Sequence, residues 1–291
     1  MAERIATGVP GIRGLSARFV AGYEQGDVIE AVRALNASGL DATVSFLGEA
    51  VTSETEVRAA VREFTSYAAA VRVHGLRSHI SIKLSELGLS FDESLAARSL
   101  DEVLGAAADT FVRIDMEDSG YTEATLRIFR EARRSHANVG VVVQAYLHRS
   151  AEDVDALARD GAPIRLVKGA YREPPGIAWQ EKAEVDAAFV RLSDAYFAHV
   201  TGDAWLAVAT HDARMIREAL RSARANNIPR ERFEFQMLYG IRNDLQRSLR
   251  DRGYRVRVYV PYGADWYPYM MRRLAERPAN LWFFLRSAFR G

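Results

Sequence analysis

The chain has 291 residues, 48% of them hydrophobic, with a formal charge of +1 and no cysteine. That length suits one large core, while near-neutrality leaves no footprint for a polyanion and argues against nucleic acid as a partner. The missing thiols exclude disulfides, thiolate nucleophiles and cysteine metal sites, in keeping with a reducing interior. The opening MAERIATGVPGIRG lacks the apolar core of a signal peptide, and no run of about 18 apolar residues occurs, so a soluble cytoplasmic protein is expected.

In chain order, an N-terminal helical segment over residues 1–40, with DVIEAVRALNASG (27–39) as its helix, precedes a region in which short apolar runs alternate with stretches of helical spacing. The runs are ATVSFLG (42–48), HISIKL (79–84), FVRIDM (111–116), VGVVVQAY (139–146), PIRLVKG (163–169), WLAVATH (205–211), FEFQML (233–238) and RVRVYVPYG (255–263). Helices are expected between them, for example over 55–72, over 150–160 with Ser150 as N-cap, and over 212–227 opened by Asp212. Such alternation signals βα units and a parallel sheet, and eight strands is the number that closes a TIM-type (β/α)8 barrel. With no linker or low-complexity tract, 41–291 reads as one catalytic domain.

Barrels of this class build their sites at the carboxyl ends of the strands. There the sequence places Glu49, Lys83, Asp115, Gln144, Arg165 with Lys168, Thr210 with His211, Gln236 and Tyr259. Of 39 basic residues only Lys83, Lys168 and Lys182 are lysines, two of them in strand-like runs. Burying an unpaired charge costs several kcal/mol, so the cations of PIRLVKGAY must meet a ligand or facing carboxylates. Side-chain alternation puts Ser81, Lys83 and Ser85 on one face and Ile80, Ile82 and Leu84 on the other, which aims Lys83 into the barrel. Arg165 and Lys168 fall on opposite faces, so only one of them points straight inward.

The six histidines show no HxH or HExxH spacing, which disfavours a metal site. GVPGIRG follows no strand, which excludes a Rossmann fingerprint. A Schiff-base lyase or aldolase using Lys83 or Lys168 remains a rival reading. Past the last strand, YMMRRLAERPAN (269–280) presents Arg272 and Arg273 on a helix, a fork suited to a carboxylate. The apolar tail NLWFFLRSAFRG (280–291) reads as a helix packed on the barrel in preference to a membrane-facing patch.

Taken together, LGE (47–49), SIKLSELG (81–88), RIDMED (113–118), VVVQAY (141–146), RLVKGAYREP (165–174), ATHD (209–212), EFQMLYG (234–240) and VYVPYG...YMMRRLAERPAN (258–280) resemble the proline dehydrogenases, in their short monofunctional bacterial form. The resemblance implies FAD-dependent oxidation of L-proline to 1-pyrroline-5-carboxylate by hydride transfer from C5 to flavin N5, with electrons passed to a membrane quinone and peripheral contact at the inner face of the cell membrane. It makes Asp115 and Arg165 catalytic. It gives the proline carboxylate to Lys83, Arg272 and Arg273 on a substrate-binding last helix, and the ring to Tyr259, Tyr269 and Leu238. Met116, Gln144, Arg165, Lys168, Gly169, Ala170, Thr210 and His211 match flavin contacts, and Glu49 matches the acidic partner of Arg272 in a gate. Gly169 and Ala170 are then expected to be small because cofactor lies against them.

Overall fold

The computed structural model describes residues 18–48, 51–267 and 269. Eight parallel strands close into a barrel in sequence order: β1 Asp41–Phe46, β2 Ser78–Ile82, β3 Val112–Ile114, β4 Val139–Gln144, β5 Ile164–Val167, β6 Leu206–Ala209, β7 Phe233–Leu238 and β8 Val256–Tyr262. β8 returns to β1 with Val44 opposite Val260. Each run expected from the sequence coincides with one of these strands, although β1 and β2 each begin one residue before the expected run. Among the described residues the helices are α1 Gln25–Ala37, α2 Glu54–Val73, α3 Glu93–Ala107, α4 Ser119–Ser135, α5 Ser150–Arg159, α6 Lys182–His199, α7 Ala213–Ala225 and α8 Asn243–Asp251.

Local chemistry sets the helix starts. Ser53 and Glu56 form a capping box at α2, and Val57, Val61, Phe64, Ala68 and Val71 then recur at helical spacing on its buried face. Asp212 caps α7 through Arg214 N at 2.9 Å, as expected. Ser150 does not cap α5. The N-cap is Arg149, and Ser150 sits inside the first turn, its hydroxyl donating to Gln144 O at 2.6 Å and so tying the helix to the end of β4. α1 lies against β1 and β8 and buries Val28 and Val32 in the main core.

Apolar side chains fill the layer between strands and helices, whereas polar side chains occupy much of the barrel interior, with Val142 and Ala207 flanking Arg165 on the same face. Toward the amino ends of the strands Arg113 packs on the adjoining rings of Phe111 and Trp205, its guanidinium carbon 4.9 and 4.8 Å from the two ring centroids. Its Nη1 donates to Val141 O and Pro163 O. Burial pushes this guanidinium down to about 9. Gly140 makes room for it, since a Cβ there would lie 2.5 Å from both Arg113 Nη1 and Pro163 O. This plug closes one end and leaves the carboxyl end as the mouth.

Candidate active site

Arg165 is the inward member of the β5 pair. Opposite Ala207 on β6 it has lateral space, and its side chain is only 5% exposed. It donates through Nη1 to Asp115 Oδ1 at 2.6 Å, through Nη2 to Ser81 Oγ at 2.9 Å and through Nε to Gln236 Oε1 at 2.5 Å. Tyr259 donates to the other Asp115 oxygen at 2.8 Å and lies beside the guanidinium, 5.4 Å from its carbon to the ring centroid. The described partners thus use three of the five guanidinium N–H groups. Burial, reinforced by the Asp115 carboxylate, pushes the Tyr259 phenol well above its usual range, so it remains a neutral donor.

Lys83 follows β2 and turns back on its own 3-10 turn, Leu84–Leu87. Glu86 accepts from Lys83 Nζ at 3.0 Å and from its backbone N at 3.1 Å. Burial works against the Lys83 ammonium, but the Glu86 and Asp115 carboxylates outweigh it and hold the amine protonated. Burial dominates for Glu86 and pushes its carboxyl up to about 7, despite Lys83. Nearby, Glu117 accepts from Ser85 N at 3.0 Å and Ser85 Oγ at 2.5 Å. Tyr269 belongs to a small cluster with Val20, Leu47 and Trp266, against which Tyr259 packs. Leu238 ends β7 opposite Tyr259.

The remaining expected contacts are distributed around the mouth. The Gln144 amide donates to Glu117 O at 2.8 Å and accepts from Ala170 N at 3.3 Å. Met116 and Thr210 are buried, and His211 Nε2 accepts from Leu238 N at 2.9 Å. Lys168 does not reach over the strand end. It turns to the helix layer and meets Asp186 at 2.5 Å and Asp212 at 3.2 Å, so facing carboxylates are its countercharge. Gly169 has a local reason to be small: its φ is +131°, and a Cβ would stand 2.3 Å from the Tyr146 ring. Cofactor contact is not needed to explain it. Glu49, Arg272 and Arg273 lie outside the described residues.

Reading by strand end passed over Glu86, Glu234 and Arg257. Period two carried a signal for the last two: Glu234 shares a face with Gln236, and Arg257 with Tyr259. Glu86 has no such signal, because its approach to Lys83 depends on the 3-10 turn.

Over residues 28–286 the sequence matches the family model described as proline dehydrogenase. The chain belongs to the proline dehydrogenase family. It is 44% identical to Proline dehydrogenase 1 of Bacillus subtilis (strain 168) over 273 residues, covering 93% of this chain and 89% of that protein. To the proline dehydrogenase of Deinococcus radiodurans it is 39% identical over 284 residues, with 95% and 91% covered. Among solved structures, proline utilization A (PutA) from Bdellovibrio bacteriovorus, inactivated by N-propargylglycine, aligns with a TM-score of 0.84 at 26% identity over 90% of this chain. The chain spans about a third of that longer protein, 32%. As a family member it is an oxidoreductase that oxidises proline in proline catabolism. No helix among the described residues is long and apolar enough to cross a membrane, and none of their acidic and histidine side chains group as a metal site.

Proposed function

We propose that the enzyme converts L-proline to 1-pyrroline-5-carboxylate with noncovalently held FAD, and that a membrane quinone takes the electrons at the inner face of the cytoplasmic membrane. The observation that carries this reading is the buried Arg165 guanidinium, fixed by Asp115, Ser81 and Gln236 at the strand ends and beside the protonated Lys83 site. The donor set suits a flavin: a preorganised cation, the oriented Gln144 amide and the buried Met116 and Thr210 surround the mouth. Arg165, Gln144, Met116, Thr210, His211 and the Lys168–Gly169–Ala170 stretch would hold it, with Lys168 steadying the loop through its two carboxylates. A bound flavin supplies the hydride acceptor.

The chain's own residues do the rest. Lys83, joined by Arg272 and Arg273, fixes the proline carboxylate and thereby the orientation of the ring. Tyr259, Tyr269 and Leu238 pack around it, and Glu49 pairs with Arg272 to exclude water. Arg165 provides standing positive charge where negative charge develops. A lysine lyase is poorly served, since a nucleophilic amine must be unprotonated. Lys83 is held as an ammonium, and Lys168 is engaged by two carboxylates.

The purified protein is expected to be yellow, and anaerobic proline should bleach the flavin band. Acid or heat should release the flavin, because the chain lacks cysteine and the Nε2 of His211 is engaged by Leu238 N. Colour that stays with precipitated protein would contradict noncovalent binding.

Glu86 adds a pH dependence with a definite sign. Its carboxyl titrates near 7 and competes for Lys83 when charged. Lowering the pH through that value neutralises Glu86 and leaves Lys83 to a ligand carboxylate. Tetrahydrofuran-2-carboxylate has no amine to titrate, so it should bind more tightly at pH 6 than at pH 8, by up to about tenfold. Glu86→Gln should flatten the profile. Tighter binding at the higher pH would sink the assignment of Lys83 to the carboxylate.

A further inference from the structure

Arg165 is also held from beneath, by a chain of hydrogen bonds that runs down the barrel interior. Arg257 Nε and Nη2 donate to the two Glu234 oxygens at 2.9 and 3.1 Å. Glu234 Oε1 accepts from Gln236 Nε2 at 2.5 Å, and Gln236 Oε1 accepts from Arg165 Nε at 2.5 Å. All four side chains are buried, Glu234 completely. Burial opposes the charged form of Glu234, but Arg257 and Gln236 more than offset it and hold its carboxyl below the usual range. Glu234 is therefore an acceptor only, while each guanidinium is a donor only. The Gln236 amide stands between an obligate acceptor and an obligate donor, and one orientation alone satisfies both. Turned over, it would set its NH2 against the Arg165 N–H and its oxygen against the carboxylate.

We propose that Glu234 is a positioning residue for proline oxidation: by orienting the Gln236 amide it locks the Arg165 guanidinium in place from below. This rests on the reading of Arg165 as the cation of a flavin site. The neutral amide has a second consequence. It keeps the Glu234 charge one step away, so that among the described residues Arg165 meets one carboxylate, Asp115. Arg257 neutralises Glu234 locally and is itself anchored to Ala42 O at 2.8 Å.

A mutant cycle on the flavin-loaded enzyme tests this, comparing Glu234→Gln, Gln236→Met and the double variant. Glu234→Gln should lower kcat about tenfold with proline KM changed less than about twofold, since the carboxylate clamp is untouched. In the Gln236→Met background the same change should cost nothing further, because the relay is already cut. The reduction potential of the bound flavin gives a readout apart from turnover. A through-space effect of the Glu234 charge would persist in the Gln236→Met background, whereas an effect relayed by the amide disappears there. Should Glu234→Gln fold poorly with Arg257 unpaired, Glu234→Gln with Arg257→Met removes both charges and takes its place in the cycle. Equal losses in both backgrounds, or a kcat loss that follows melting temperature together with a matching rise in KM, overturn the proposal. If the unaltered protein holds no flavin and leaves proline untouched, the parent reading falls and this one with it. If it oxidises proline and the cycle is additive, only this inference fails.

Discussion

Replacing Arg165 with methionine is expected to lower kcat for proline by about a hundred- to a thousandfold, the range seen when one preorganised donor is removed from a charge-stabilising site. The effect should fall on kcat because no described contact joins Arg165 to Lys83, the residue assigned to the substrate carboxylate. Folding will also suffer. Asp115 would keep Tyr259 but lose its countercharge, and breaking a buried ion pair from one side typically costs about 3–5 kcal/mol. Steady-state kinetics, with melting curves to establish the folded fraction, separate the two consequences. A folded variant with kcat within about fivefold of the unaltered enzyme would remove Arg165 from the chemistry.

Lys83→Met should act on the other parameter. Truncating one member of a desolvated charge pair typically costs about 2–5 kcal/mol, which corresponds to a fall in kcat/KM of about 30-fold or more. Most of it should appear in KM, because the network around Arg165 does not pass through Lys83. Glu86 would lose the ammonium that opposes its burial, so its carboxyl should rise further and the pH dependence of carboxylate binding should vanish. Titrating tetrahydrofuran-2-carboxylate by its perturbation of the flavin spectrum measures this directly. Unchanged affinity in Lys83→Met would show that other residues clamp the carboxylate.

Much of this architecture was legible in the linear chain. The strands alternate with helical stretches and carry strongly apolar outward faces, as in β2, where Ile80 and Ile82 enter the core while Ser81 turns inward to Arg165. Capping by Asp212 was readable, and so was the start of α2 to within a residue, because caps are local events. Ser150 misled for a reason that lies outside its own segment. Its hydroxyl is taken by Gln144 O, a partner supplied by the packing of α5 on β4. Lys168 is a similar case, since Asp186 and Asp212 lie on segments distant in sequence.

Taken by itself, the sequence determined that there are eight strands, that Lys83, Asp115, Arg165 and Tyr259 gather at one end of them, and that proline dehydrogenase motifs run through nearly the whole chain. These follow from period, strand-end position and motif, all readable along one segment at a time. Which of Arg165 and Lys168 faces inward was decided only when the barrel closed, because alternation orders the two faces of a strand without saying which one lies inside. The link from Arg257 through Glu234 and Gln236 to Arg165 likewise exists only in three dimensions. It joins β8, β7 and β5 across an interior in which burial raises the cost of any unpaired charge, and closure brings Arg165 its carboxylate from the end of β3 and Glu234 its guanidinium from β8, partners that their own strands could not supply.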